Sequence, residues 1–299
     1  MRCVQCMRES YAAQCRQFTI GEHMHKLRAS AWLSMILLCC SWMRAAELKP
    51  KTIDSFNHYV KLTEARISAE QAGKGPFFII DAMAPQERQR AIDSMKNGEV
   101  FIDSRKTRDG GKEINVPSGM IHHWLGMVFI PGGTIKDVLA LAQDYNNHSR
   151  TYSPDVERSK LLSRKGDTFQ IYYRLRRKKV ITAVLDTYYD IHYGPIVGKR
   201  TTSRSYSTKI QEIGDPGEPT ESAKPVDDGT GFLWRLNTYW SWEERDGGVY
   251  MQLEAVSLSR DIPTGLEWVV GRFVKSVPRE SLMFTLGRTR DLVLARVKK

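Results

Sequence analysis

Few side chains in this chain could carry out chemistry. His192 falls late in a strand-like segment beside Asp190 and Tyr193, which suits it best for acid–base work. Arg235 and Glu254 form a second candidate, opposite charges on neighbouring segments of one hairpin. Buried, they must pair with each other or with a ligand group; on a solvent face they would be an ordinary cross-strand ion pair. His122 and His123 are adjacent on a strand and point to opposite faces, so they cannot share one ion. Cys3-x-x-Cys6 lacks a second pair at ligand spacing. With no GxSxG, no glycine-rich phosphate loop and no HExxH, the sequence predicts no metal and no cofactor.

The aromatic load is larger, with seven Trp and twelve Tyr. Tyr173, Tyr188, Trp234, Tyr239, Trp240, Trp268 and Phe273 are candidates to line an apolar site, Arg235 and Glu254 supplying its polar contacts. Amphipathic rings suit a pocket that is apolar with a few polar tips, and equally suit a filled core.

The elements that must position these residues follow from periodicity. Residues 52–72 carry Ile53, Phe56, Tyr59, Val60 and Ile67 at helical steps. A short apolar run at 77–80, a helix at 85–96 with Pro85 in its first turn, a strand at 99–104 and a turn at 108–111 come next. Residues 119–130 read as a strand, and Thr134 with Asp137 forms a capping box for the helix that follows. A period of two then runs through 156–163, 169–175, 180–193 and 199–210, before a Pro-, Gly- and acid-rich loop at 214–229, expected to be flexible.

Asp246-Gly247 between alternating segments predicts a two-residue hairpin turn pairing Arg245 with Gly248. Trp234, Leu236, Trp240 and Trp242 would then share one face with Met251, Leu253 and Ala255. Arg235, Asn237 and Tyr239 would share the other with Gln252 and Glu254. Residues 265–297 read as a long helix interrupted at Pro278. Leu266, Val269, Val270, Phe273, Val274 and Val277 form its stripe before the proline, and Leu282, Met283, Leu286 and Leu292 after it.

Composition fits a globular protein: 299 residues, 41% hydrophobic and 26% charged. The net charge of +11 is diffuse, apart from the basic run at 174–179; it favours weak contact with an anionic lipid surface and not nucleic acid. All five cysteines lie in the first forty residues. There His25-Lys26-Leu27-Arg28 precedes an apolar stretch from Ala29 to Trp42 and the small residues Ala45 and Ala46. This is the pattern of a signal peptide starting at Met24, and it predicts an exported, periplasmic or extracellular protein, membrane-anchored if the signal is retained. The expected organisation is a signal region at 1–46, a prefix at 47–117 packed on the main domain, and a main domain at 118–299.

The order strand, helix, antiparallel meander, long C-terminal helix resembles the START-like (SRPBCC) superfamily, including polyketide cyclase and coenzyme Q-binding relatives. Residues 131–145, 163–177 and 257–268 carry the likeness. The resemblance implies an α+β helix-grip fold, a curved antiparallel sheet around the last helix, with a cavity for a hydrophobic ligand. It leaves three expectations open: a carrier of a lipid, quinone or isoprenoid-like molecule, a cyclase or dehydratase-type enzyme, or an envelope protein docking to anionic lipid. The prefix departs from the pattern and is expected to cover or extend the cavity mouth.

Overall fold

The computed structural model describes residues 47–178, 182–262 and 267–298, with side chains of the last helix described from Ser276 onward. The signal region, the five cysteines, and the side chains of Leu266, Trp268, Val269, Val270, Phe273 and Val274 lie outside the described residues.

The chain begins with α1 (Pro50–Gln71), a 3-10 turn (Ile79–Ala82), α2 (Pro85–Lys96) and β1 (Phe101–Ser104). A small hairpin, β2 (Arg108–Asp109) and β3 (Lys112–Glu113), leads to β4 (Gly119–Pro131). Next come α3 (Ile135–Ala142), a 3-10 turn at Tyr145–Asn147 and α4 (His148–Thr151). The meander follows: β5 (Val156–Lys165), β6 (Thr168–Lys178), β7 (Thr182–Tyr193), β8 (Arg200–Gly214), β9 (Ser222–Ala223), β10 (Arg235–Arg245) and β11 (Gly248–Arg260). The chain closes with α5 (Glu267–Val297).

Among the described residues the sheet has nine strands, in the order β1-β4-β11-β10-β8-β7-β6-β5, with β9 on the end of β8. All pairings are antiparallel. The last strand returns beside β4, register Gly248↔Pro131 to Arg260↔Gly119, so α5 starts from the strand it then crosses.

Around β4, β10 and β11 both faces of the sheet are covered. On the inner face Val128, Ile130, Met251, Leu253 and Trp242 pack with α3 (Ile135, Val138, Leu141) and α5 (Leu282, Leu286, Val293). On the outer face Val256, Leu258 and Tyr239 pack with Phe56, Tyr59 and Ile67 of α1, and Leu125, Met127, Phe129 and Tyr250 with Phe78, Ile80, Ala91 and Met95. The helices of the prefix therefore lie on the face away from α5, while Val100 and Ile102 at its β1 end reach the inner cluster beside α5. The prefix also extends the sheet, because β1 pairs with β4.

Gly126 makes room for α5: a Cβ there would lie 2.5 Å from Leu286 Cδ1 and 2.9 Å from Ile102 Cδ1. The Thr134 capping box forms, Asp137 N–H donating to Thr134 Oγ1 at 3.2 Å and Thr134 N–H to Asp137 Oδ2 at 3.0 Å. The hairpin register is as expected, Arg245 facing Gly248, with positive φ at Asp246 (54°) and Gly247 (73°).

Three expectations need correction. Helix α5 runs through Pro278 without a break; a proline forfeits one backbone bond, and packing on β4 and β11 holds the rest of the helix. The loop at 214–229 is tied down: β9 pairs with Ile213–Gly214, and Glu221 accepts from Arg174 at 2.7 Å. Its acidic residues meet the basic end of the meander. Trp234 packs in the outer cluster, not with Trp240 and Trp242, because it precedes the paired part of β10, where alternation has not begun.

Candidate functional site

The structure divides the sequence-derived candidates between the two faces. Tyr173 and Trp240 pack with the inner cluster. Tyr188, Arg235, Tyr239, Glu254 and His192 hold outer-face register positions, and Trp234 joins them. The side chains of Trp268 and Phe273 lie outside the described residues. His192 is exposed and touches Thr168 at 3.3 Å. Tyr188 lies beside Tyr172 with Lys209 over its ring.

Arg235 and Glu254 do not pair. Arg235 is bidentate to Asp227, at 2.6 and 3.0 Å. Glu254, 2% exposed, lies beneath α1. Its Oε1 accepts from His123 Nε2 at 2.5 Å and from the Arg66 guanidinium. The Tyr59 hydroxyl donates to His123 Nδ1 at 2.8 Å and accepts from the Thr107 N–H at 2.8 Å. Burial pushes the Glu254 carboxyl up, but His123 and Arg66 outweigh it and hold the group below the usual carboxylate range. Burial lowers His123, which stays a neutral imidazole. Glu254, His123, Arg66 and Tyr59 thus form a buried network that fastens the prefix to the polar face of the β10–β11 hairpin.

The inner face carries a different constellation. Trp240 and Trp242 stack with centroids 5.6 Å apart and planes 4° apart, and Tyr193 continues the stack at 6.2 Å and 12°. Trp242 is 1% exposed, and its indole N–H has no hydrogen-bond partner among the described residues. At the other end, α4 places His148 in a box of Tyr145 (5.0 Å), Tyr152 (5.1 Å) and Tyr173 (5.8 Å). His148 Nε2 is 3.0 Å from the Leu141 carbonyl, which assigns the proton to Nε2 and leaves Nδ1 to accept from the Tyr173 hydroxyl at 2.6 Å. Burial lowers His148, raises Tyr173 well above the usual phenol value and pushes Tyr189 up to about 12.

Several inner-face residues keep accessible surface although they sit in the body of the sheet or against it. Tyr152, Tyr173, Leu236, Thr238, Trp240 and Ala255 are half-buried. Across the middle of this face the side chains are small: Ser203 and Ser205 on β8, Thr238 on β10, Ala255 on β11. His148 is not among the sequence-derived candidates. The available signal was Tyr145, His148 and Tyr152 at steps of three and four, one flank of a helical turn.

No family model and no curated protein matches this chain. Solved structures do align. A STAR-related lipid transfer protein from Xanthomonas axonopodis covers 66% of this chain and 99% of its own, at 16% identity and a TM-score of 0.39. Human STARD10 covers 69% and 80%, at 12% identity and 0.40. The di-domain ARO/CYC StfQ from the steffimycin biosynthetic pathway covers 60% and 53%, at 10% identity and 0.41. The likeness is one of overall arrangement, and no ligand or reaction passes from these proteins to this chain.

The fold is an α+β helix grip, an antiparallel sheet with the long C-terminal helix packed on one face. Within it, the inner face beneath α3, α4 and α5 is the candidate site, and the prefix covers the outer face over β4, β10 and β11.

Proposed function

We propose that this protein binds and carries an apolar small molecule on the inner face of its sheet. The observation that carries the reading is the indole N–H of Trp242, without a hydrogen-bond partner among the described residues, in a stack whose outer ring, Trp240, is only half-buried. A buried donor left unmade costs about 1–3 kcal/mol, and a guest oxygen reaching the edge of that ring, in its plane, would recover it. The small floor of Ser203, Ser205, Thr238 and Ala255 supports the same reading, since it leaves depth where bulky residues would fill the core.

The carrier reading is preferred to a cyclase-type enzyme because of the acid–base candidates: His192 is exposed, and Glu254 is committed to Arg66 and His123 under α1. We further propose export, on the basic and apolar run at 25–46, and weak docking to anionic lipid through the diffuse positive charge.

Native mass spectrometry of protein purified from its source, followed by organic extraction, tests the carrier reading. A bound apolar molecule is the expected result. Protein that is always empty and fails to quench or shift tryptophan fluorescence with any apolar probe would overturn it.

A further inference from the structure

We infer that the His148–Tyr173–Tyr152 end of the inner face selects a neutral ligand through a hydroxyl or N–H that the ligand itself donates, and rejects carboxylates and phosphates. The inference rests on the inner face being the binding surface, and it deepens that reading by naming the ligand's polar chemistry.

The argument is a proton inventory. His148 spends its Nε2 proton on the Leu141 carbonyl, so Nδ1 takes the Tyr173 proton. Thr289 Oγ1 donates to the Thr285 carbonyl at 2.7 Å, so the Tyr152 hydroxyl, 2.9 Å away, donates to Thr289. Each phenol has therefore given away its one proton and keeps only lone pairs, and both rings are half-buried. Tyr152, Tyr193 and Tyr189 lie near enough to Tyr173 to raise its phenol further. What this end offers a guest is acceptors, and a guest must bring the donor.

The half-buried cation on this face is already matched: Arg177, on the same face of β6 as Tyr173, is paired with Asp155 and also donates to Ser281 of α5. Arg288 of α5 lies exposed and donates through Nε to the Thr151 carbonyl. An anion brought against the phenol oxygens themselves would meet lone pairs and, among the described residues, no half-buried cation left for it at this end, and stripping its hydration there would go unrepaid. A neutral alcohol, phenol or amide N–H has no such cost.

The test uses matched probes on the full chain. Pyrenemethanol, its methyl ether and pyrenecarboxylate share one apolar body and differ in donor and charge; hexadecanol, its methyl ether and palmitate repeat the comparison on a slender chain. In at least one series the alcohol is expected to bind about tenfold more tightly than the ether, and the carboxylate more weakly than either. Tyr152→Phe and Tyr173→Phe should each narrow the gap between alcohol and ether while leaving ether affinity within about twofold, with native thermal unfolding as the fold check. Binding of alcohol, ether and carboxylate alike would overturn the inference and leave the carrier reading standing. A preference for the carboxylate would do the same. Failure of all six probes to bind would overturn both.

Discussion

His123 and Glu254 are diagonal neighbours on β4 and β11, joined Nε2 to Oε1 at 2.5 Å beneath a helix, Pro50–Gln71, from the far end of the described chain. Arg66 of that helix closes on the same carboxylate oxygen. This contact locks the prefix to the sheet, so the docking of residues 47–117 can be tested one side chain at a time.

Replacing Glu254 with Gln removes the carboxylate from a buried site, while Arg66 keeps its pair with Glu70. The expected loss is about 1–3 kcal/mol of unfolding free energy. Arg66→Met added to Glu254→Gln should cost less than the sum of the two singles, because both remove the same contact. Urea unfolding of the two singles and the double measures the coupling; strictly additive losses would mean the pair does not hold the prefix.

Acidification should weaken the fold in a predictable direction. His123 and His148 have folded pKa values depressed below the ordinary 6.5 by burial, so the unfolded chain takes up protons first as pH falls. Their contribution is complete above about 6.5 and is lost as pH drops below it toward their folded values. Glu254 is also depressed, and its share is lost further down, below the usual carboxylate value of 4.5. Denaturation midpoints between pH 8 and pH 5 should fall with acid, and His148→Asn should flatten the upper part of that fall. A midpoint that rises toward pH 5 would contradict the neutral, buried assignment.

Gly126 of β4 leaves no room for a side chain beneath Leu286 of α5. Gly126→Val should cost about 1–3 kcal/mol by overpacking against Leu286 and Ile102. Leu286→Ala alone should cost about 2–5 kcal/mol through the cavity it opens. Combined, they should cost less than their sum, because the added methyls occupy the vacated space. Additive costs from chemical denaturation would mean the two residues do not meet.

At the tip of the β10–β11 hairpin, Gly247→Ala introduces no contact, since nothing lies within 4 Å of its Cβ position. The cost is conformational, about 1–2 kcal/mol for an L residue held at φ 73°. Asp246 stays in place to accept from the Tyr250 hydroxyl at 3.0 Å. Thermal unfolding reads the shift directly; no change would imply a different turn.

What the sequence determined by itself was local or periodic. Asp246-Gly247 set the hairpin register because only residues tolerant of positive φ fit that turn. Thr134 with Asp137 announced the start of α3 because capping is settled within four residues. The alternation of β6, β7, β10 and β11 and the length of the last helix followed from side-chain period alone.

The tertiary structure decided what each face meets. Alternation sorts Glu254 and Gln252 from Leu253 and Met251, but a polar row can face water or a distant helix equally well. Here α1 covers it, so the row that suggested an exposed or ligand-facing pair became a buried clasp. Likewise Tyr173 acquires its partner only when α4 brings His148 across β6, a contact between segments 25 residues apart that no pattern within either segment encodes. Period is a property of one strand or helix, whereas burial of a polar group depends on which other element arrives to satisfy it.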